Sequence, residues 1–284
     1  MFGSKWVLCV FSYNRGMLLR NLLRSARLFY PEFDIVIFDD NSDDAETQKV
    51  LTEQGSTNCK VIISPSDHTK SKHGGLYAQM NKALMYAIDH QYSYAYFVQD
   101  DMQFLWRDEV LENKITKAFT RKECLMCNSS FLQKILTDGI EDRLPLAEDN
   151  LYTFKGNGVA DTGIIDLEKA READLQFPEH SESGNGQYWY NKGFRLYWLP
   201  QPHLAWVPWP ATFRNRQKEN RKTNELLPLT DESIKRLQQN QSYAYLEDYT
   251  KTVRLLPKPY WYTANPGKLN LLKIYIKYYL KHII

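Results

Sequence analysis

The sequence predicts an α/β fold with a mostly parallel central sheet flanked by helices. Short runs rich in β-branched and aromatic residues alternate with segments whose apolar residues recur at helical spacing. Over about the first 120 residues, four such runs are separated by three helical segments, an order typical of parallel strands joined by right-handed crossovers. With 43% hydrophobic and 25% charged residues among 284, the chain has the composition of a globular protein.

The elements of the first half follow from these patterns in chain order. The predicted strands are KWVLCVFS, DIVIFDD, KVIIS and YAYFVQDD. The first helix covers 17–29, the second runs from the start signal NSDDAETQKVL to residue 55, and the third covers 75–90. The first and third helices carry their apolar residues on one face, as helices packed on a sheet do.

The second half is less regular. ECLMCNS and GFRLYWLP predict strands, and NGVADTGIIDLEKA predicts a turn, a strand and a helix. We expect one domain over 1–210, with a nucleotide-binding half at 1–104 and a second half at 105–210. Residues 211–284 form a basic extension with 14 Lys/Arg and 6 Asp/Glu, whereas the whole chain has a net charge of only +2.

Two parts of this extension suggest binding to anionic partners. Lys273, Lys277 and Lys281 share one face of a predicted terminal helix over 267–284, which is too charged to span a membrane but suits an anionic lipid surface. The alternative is a helix packed on the domain with solvated lysines. The basic loop 214–222 is either a solvated loop or a lid over a diphosphate.

Polar clusters follow three predicted strands, at the strand ends where parallel sheets bind ligands. These clusters cover 12–15, 39–42 and 99–101, and we expect them to face one crevice. A lone Asp-Asp pair is common in solvated turns, so the convergence of the clusters is the evidence. Because Mg²⁺ and Mn²⁺ are typically held by one or two carboxylates plus substrate phosphates, Asp100 and Asp101 predict a metal–diphosphate site.

Other features exclude competing classes. The chain lacks both G-x-G-x-x-G and G-x-x-x-x-G-K-[ST], which argues against a dinucleotide dehydrogenase and a P-loop phosphotransferase. Its four cysteines are too scattered for a disulfide framework, and the C-x-x-C of Cys124 and Cys127 has no second pair to complete a zinc site. Without a signal-peptide pattern at its N-terminus, the chain is expected in the cytoplasm.

Four motifs carry a resemblance to a known family. FSYNR, DDNSDD, HGGLYAQMNKA and QDDM occur in this order within residues 6–104. They resemble the motifs of family 2 glycosyltransferases of the GT-A fold. The resemblance implies a Rossmann-like GT-A sheet with a C-terminal acceptor-binding part and terminal helices. It also implies a nucleotide-sugar donor and a divalent cofactor, Mn²⁺ or Mg²⁺.

Carried onto this sequence, the resemblance implies three sets of site residues. The donor contacts are Ser12, Tyr13, Asn14, Asp39, Asp40, Gly75, Asn81 and Asp100. The metal ligands are Asp101 and His203, while Gln99 replaces the first Asp of the family's D-x-D, which weakens the case for a metal. Glu182 falls where the family has its catalytic base, and Glu179 is the reserve. Asp161 lies near the expected acceptor floor, although Asp is common in glycine-rich turns without any function.

The function that the resemblance implies is inverting, metal-dependent transfer of a sugar from a UDP-linked donor to a glycan or lipid-linked acceptor. With its basic tail, such an enzyme fits surface polysaccharide synthesis at the inner membrane face. Two alternatives stay open: a nucleotidyltransferase that makes a nucleotide-sugar, and a non-catalytic nucleotide-sugar or glycan-binding protein. No nucleic-acid partner is predicted, because the positive charge of the tail is spread without a recognisable motif.

Overall fold

The strands and helices are taken from a computed structural model that describes residues 3–55, 59–65, 75–130, 151–153, 158, 160–199, 202–207 and 235. The strands are β1 (Trp6–Ser12), β2 (Asp34–Asp39), β3 (Cys59–Ile63), β4 (Tyr94–Gln99), β5 (Met102–Phe104), β6 (Cys124–Asn128), β7 (Tyr152–Thr153), β8 (Gly163–Asp166), β9 (Arg195–Trp198) and β10 (Leu204–Trp206). The helices are α1 (Gly16–Phe29), α2 (Ala45–Gly55), α3 (Leu76–Asp89), α4 (Leu111–Phe119), α5 (Leu167–Glu172) and α6 (Glu182–Asn191).

One eight-stranded sheet runs through both halves of the domain in the order β3-β2-β1-β4-β8-β6-β9-β7. The first four strands of this order are parallel, and β6 is parallel to β9. Strand β8 runs antiparallel to both of its neighbours, and β7 is antiparallel to β9. The predicted GT-A type of α/β fold, with a mostly parallel sheet, is confirmed.

The sheet is buried because helices cover both of its faces. Every residue of β1 is buried. Val7, Cys9 and Phe11 point into one apolar cluster, which the buried face of α3 completes. Leu8 and Val10 point into a second cluster, which α1 completes. This two-sided burial explains why the strand has a continuous apolar run and no polar alternation.

A small second sheet follows the adjacent aspartates. Strands β5 and β10 pair antiparallel, with Phe104 opposite Leu204 and Met102 opposite Trp206. The pairing returns the chain to the aspartates, because the Val207 N–H donates to the Asp101 carbonyl at 2.8 Å. The sequence pattern predicts the fourth strand as far as the aspartates but does not predict this second sheet, because three-residue strands leave no measurable periodicity.

Within the described residues, no helix is both long enough and apolar enough to cross a membrane. Apart from Lys235, the basic extension 211–284 lies outside the described residues, as do the predicted terminal helix 267–284 and the basic loop 214–222.

Candidate active site

The carboxyl ends of β1, β2 and β4 lie side by side at one edge of the sheet. The strand register pairs Ser12 with Asp39, and Phe11 with Gln99. The pairing continues past the strand ends, because the Asp100 N–H donates to the Phe11 carbonyl at 2.9 Å. The three polar clusters predicted from the sequence therefore border one crevice, at the edge where open parallel sheets bind their ligands.

The two adjacent aspartates of this crevice are bridged by an arginine. Asp100 and Asp101 are 3% and 1% exposed. Arg15 Nη1 lies 2.5 Å from Asp101 Oδ2 and 3.2 Å from Asp100 Oδ1. The Tyr13 N–H donates to the second oxygen of Asp100 at 3.0 Å. A guanidinium nitrogen shared by both side chains therefore offsets the repulsion between the two carboxylates.

The protonation of Asp100 reflects this crowding. Burial raises the pKa of Asp100 to about 7, and the Asp101 carboxylate acts in the same direction, although the Arg15 cation and the Tyr13 N–H oppose them. The Asp101 carboxylate in turn raises the pKa of Arg15, so this guanidinium stays charged. The two carboxylates thus still repel one another although they share one cation.

Asp161 enters the same crevice from the antiparallel strand. Because β8 runs opposite to β4, the residues before β8 lie at the carboxyl end of β4. Asp161 is 4% exposed, and it accepts hydrogen bonds from Gln99 Nε2 at 3.3 Å and from Thr162 Oγ1 at 3.4 Å. Burial raises its pKa to about 8, and the neighbouring Glu182 carboxylate contributes to this shift. Asp161 is therefore a buried carboxyl that favours its protonated form.

Glu182, the predicted base, begins α6 beside this carboxyl. The Ser181 hydroxyl caps the helix by accepting the Gly184 N–H at 3.1 Å. The Glu182 carbonyl accepts the Ala160 N–H at 3.1 Å, which fixes the start of the helix next to Asp161. Its side chain is half-buried, in the first turn where the helix dipole favours an anion. Position and charge therefore both suit a general base.

Tyr77 lies beside the pair of carboxyls, and Glu179 lies in the turn before α6. Tyr77 of α3 is 3% exposed, and burial, Glu182 and Asp161 all raise its pKa, so its hydroxyl stays neutral beside them. Glu179, the reserve candidate for the base, is exposed. The Glu179 N–H donates to Asn185 Oδ1 at 3.0 Å, and Asn185 Nδ2 donates to the Glu179 carbonyl at 2.9 Å. These two bonds fix the turn before α6.

The side chain after β1 faces solvent at the mouth of the crevice. Tyr13 is 51% exposed although its N–H is fixed to Asp100, whereas Ser12 is 4% exposed. An exposed ring whose main chain is anchored offers a flat apolar surface to a planar ligand such as a nucleotide base.

Two predicted donor contacts, Asn14 and Asn81, form hydrogen bonds with neighbouring segments of the chain. The Asn14 amide donates to Asp43 Oδ1 at 2.6 Å, and its oxygen accepts the N–H groups of Asp43 and Asp44 at 2.9 and 3.2 Å. The Asn81 amide donates to the Phe177 carbonyl at 3.1 Å and accepts the Phe177 N–H at 2.8 Å. Both side chains hold neighbouring segments in place through these bonds, and their roles toward a donor stay predictions.

The polar cluster at 39–42 is also held by hydrogen bonds. Asp39 is fully buried, and its two carboxylate oxygens accept the N–H and the hydroxyl of Ser42, both at 2.7 Å. Asp40 accepts the Gly75 N–H at 2.7 Å, before the start of α3. A Cβ at position 75 would lie 2.3 Å from Asp40 Oδ1, so a larger residue there would force the carboxylate or the helix to move. The roles of these residues toward a donor stay predictions.

His203, predicted as a metal ligand, packs within the apolar core, and its role toward a metal stays a prediction. His203 is fully buried, and burial lowers its pKa to about 4, so the ring is neutral at physiological pH. Its imidazole packs against the rings of Tyr30, Tyr96 and Phe104. The strand register brings Val207, further along the chain, next to Asp101. His203 therefore belongs to the apolar core, and its place beside a proline turn in the sequence did not reveal this.

A metal ion in the crevice would depend on the donor. No group of three or more His, Cys, Asp or Glu side chains within the described ranges has an arrangement that could hold a metal ion. Cys124 and Cys127 are buried free thiols of β6. Asp100 and Asp101 supply hard oxygen ligands, and in this structure they share the Arg15 cation. Two carboxylates fit Mg²⁺ or Mn²⁺ when donor phosphates provide further ligands. They do not fit a metal site built from protein groups alone.

Sequence reasoning missed the roles of two residues in the crevice, Arg15 and Gln79. Arg15 stands in a polar cluster, but the sequence does not indicate that it bridges the aspartates. Asp161 is expected near the acceptor floor, but its contact with the polar strand ends depends on the direction of β8, which the sequence does not indicate. Gln79 is buried, and its amide donates to the Ser64 hydroxyl and to the Asp39 carbonyl at 3.5 Å. A polar residue on the apolar face of a predicted helix is the signal that would have found Gln79.

Comparison with protein families and solved structures agrees with this geometry. The family model described as glycosyl transferase family 2 matches residues 7–123. S. aureus TarS 1–349 in complex with UDP-GlcNAc aligns with a TM-score of 0.51 and 17% identity, over 98% of this chain and 72% of TarS 1–349. The UDP complex aligns with a TM-score of 0.50 and 20% identity, over 71% of this chain and 60% of the other. Among curated proteins, none matches the chain.

Proposed function

We propose that this chain, whose residues 7–123 match the family model described as glycosyl transferase family 2, transfers a sugar from a UDP-linked donor to a hydroxyl of a glycan or lipid-linked acceptor. One observation carries the proposal. Buried carboxyl groups from different strands meet at the carboxyl edge of the sheet, where a cation and an exposed tyrosine lie beside them; these carboxyl groups are Asp39, Asp100, Asp101 and Asp161. Solvated turns do not bury acidic groups in this way.

The donor would occupy the crevice between the first and fourth strands. Tyr13 would offer its ring to the base, and Asp39 would hydrogen-bond a ribose or base edge. Asp40 and Gly75 shape the floor beneath the donor. Asp100 and Asp101 would hold Mn²⁺ or Mg²⁺, which supplies positive charge to the departing diphosphate.

Glu182 is the group assigned to proton transfer. Its carboxylate takes the proton of the acceptor hydroxyl while that oxygen forms a bond to the anomeric carbon. The bond from the anomeric carbon to the diphosphate oxygen breaks, and its electron pair leaves with UDP. Attack from the face opposite the leaving group inverts the configuration. Asp161, protonated beside Glu182, can donate a hydrogen bond to a sugar or acceptor hydroxyl in the crevice.

The basic extension 211–284 supports a location at a membrane surface, and the wider role we propose is surface polysaccharide synthesis at the inner membrane face. Lipid-linked acceptors would then be within reach of the crevice. This part of the proposal depends on the sequence, since the extension lies outside the described residues.

Calorimetric titration of UDP into the protein, with and without Mn²⁺, tests the donor site. We expect Asp101→Ala to weaken UDP binding in Mn²⁺ by about tenfold or more, because it removes a charged ligand of the proposed metal. The matched control is Asp89→Asn, an exposed carboxylate at the end of α3, which should bind UDP as the wild type does.

The other outcomes have defined meanings. Binding of UDP that depends neither on Mn²⁺ nor on Asp101 would contradict the metal part of the proposal and leave the donor part standing. Binding of GDP but not of UDP would mean that the donor is a GDP-linked sugar. A protein that binds UDP-sugars but releases no UDP in the presence of any acceptor would be the non-catalytic binding protein.

A further inference from the structure

The guanidinium of Arg15 occupies the oxygens that a metal ion would use. One nitrogen, Nη1, lies 2.5 Å from Asp101 Oδ2 and 3.2 Å from Asp100 Oδ1. A divalent ion needs a carboxylate oxygen at about 2.0–2.2 Å, a position that a guanidinium nitrogen in direct contact with the same oxygen obstructs. The two cations also repel one another. Arg15 and a metal ion therefore compete for these carboxylates.

The arginine is placed so that it can leave them. Its side chain is 43% exposed, whereas those of Asp100 and Asp101 are 5% and 1% exposed, so the guanidinium covers the carboxylates from the solvent side. Its main chain is fixed on both sides. The preceding Asn14 is bonded to the loop at Asp43, and the Arg15 carbonyl accepts the Leu19 N–H at 2.9 Å in the first turn of α1. Only the side chain needs to move.

The donor provides the destination for this side chain. A guanidinium binds phosphate oxygens through paired hydrogen bonds and prefers them strongly because of their charge. A diphosphate bound next to the aspartates would attract Arg15, and departure of Arg15 would leave two buried carboxylates without their cation. Such a pair is strongly destabilised until another cation replaces the first.

We propose that Arg15 is a positioning residue that holds the two aspartates in the donor-free protein and moves to the donor diphosphate, so that metal binding depends on donor binding. This inference rests on the proposed function, since it requires a diphosphate donor. Because coupling between two ligands is reciprocal, the metal must strengthen donor binding by the same factor as the donor strengthens metal binding.

Titration of Mn²⁺ into the protein, followed by the electron paramagnetic resonance signal of free Mn²⁺, measures this competition with and without saturating UDP. For the wild type we expect UDP to strengthen Mn²⁺ binding by about tenfold or more. Arg15→Gln should bind Mn²⁺ about tenfold more tightly than the wild type without UDP, and should gain correspondingly less from UDP. Arg15→Lys, which keeps the charge, should resemble the wild type more than Arg15→Gln does.

The matched control is Arg20→Gln on the same helix, where Arg20 pairs with Glu53 at 2.6 Å on the surface. It should leave both Mn²⁺ affinities unchanged, and thermal unfolding checks that every variant is folded. A folded Arg15→Gln variant with the Mn²⁺ affinity and UDP gain of the wild type would overturn the role of Arg15. So would a folded variant that binds less Mn²⁺ than the wild type. A wild type that binds no UDP at all would instead contradict the proposed function, and with it the transfer of Arg15 to a donor.

Discussion

Substitutions of individual crevice residues should affect different properties of the protein, either the chemistry of transfer or the stability of the fold. Glu182 is half-buried at the start of α6, and neither its charge nor its position is needed to hold the donor elements together. Asp161 is buried and bonded to Gln99, so it affects both the chemistry and the stability of the fold. These two carboxyls can therefore be separated by experiment.

Glu182→Gln keeps the size of the side chain and removes the proton acceptor. We expect UDP release in the presence of acceptor to fall about 100-fold or more, the contribution typical of a general base. The dissociation constant for UDP, measured by calorimetry, should not change. Glu179→Gln is the matched control, and loss of turnover in that variant with full activity in Glu182→Gln would move the base to Glu179.

Asp161 makes stability depend on pH. The unfolded chain releases this proton near the ordinary pKa of Asp, about 4, whereas burial raises the pKa in the folded protein to about 8. Between these values the folded state binds more protons, so the free energy of unfolding falls as pH rises. Asp161→Asn should make the free energy of unfolding depend less on pH. At pH 8 the free energy of unfolding of the variant should exceed that of the wild type by more than about 1 kcal/mol.

Urea unfolding at a series of pH values measures this effect. The exposed Asp89 serves as the control, since Asp89→Asn should leave the pH slope of the wild type unchanged. An Asp161→Asn variant with the same pH slope as the wild type would mean that Asp161 is ionised in the folded protein at neutral pH.

At the level of elements, helix starts and strand ends place the functional groups. Helix α3 begins where Asp40 accepts the Gly75 N–H, and the Asn81 amide of the same helix bonds to Phe177 of the second half. The helix thus joins the donor part of the crevice to the segment that leads to Glu182. Its start is therefore a position where a small change in packing should reach the whole crevice.

Gly75→Ala tests this start. The added methyl group would lie 2.3 Å from Asp40 Oδ1, so either the carboxylate or the helix must move. We expect a loss of about 1–3 kcal/mol in the free energy of unfolding and weaker UDP binding, measured by urea unfolding and calorimetry. Gly55→Ala at the end of α2 is the control, because a Cβ there meets nothing within 4 Å. Equal stability of both variants would show that Asp40 relaxes without cost.

For the whole molecule, the distribution of charge makes a prediction about partners. The extension 211–284 contains 14 of the 36 Lys and Arg residues. We expect the full-length protein to bind anionic liposomes, and the combined change of Lys273, Lys277 and Lys281 to Glu to weaken this binding by about tenfold or more, since each lysine near an anionic surface contributes about 1 kcal/mol. Co-sedimentation with vesicles of anionic and of neutral lipid measures it.

Two comparisons make this experiment decisive. A chain truncated before Gly267 should lose the same binding as the charge-reversed full-length chain. Equal binding of the truncated, charge-reversed and wild-type proteins to anionic vesicles would mean that the terminal segment is a helix packed on the protein with solvated lysines.

The sequence by itself determined the parts of this protein that depend on local pattern. The apolar run of β1 and the helical spacing of α1 and α3 predicted these elements within a residue or two, because period and burial are written into consecutive positions. The convergence of polar clusters was predictable for the same reason, since parallel strands bring their carboxyl ends to one edge.

Only the tertiary structure decided which side chains share contacts across that edge. Strand β8 could be predicted, but its antiparallel direction, which brings Asp161 to the crevice, depends on the path of the chain between distant segments. The bridge from Arg15 to the aspartates and the burial of His203 likewise join residues far apart in sequence. Residue type and spacing specify what a group can do, whereas its partners are set by packing, which no local pattern contains.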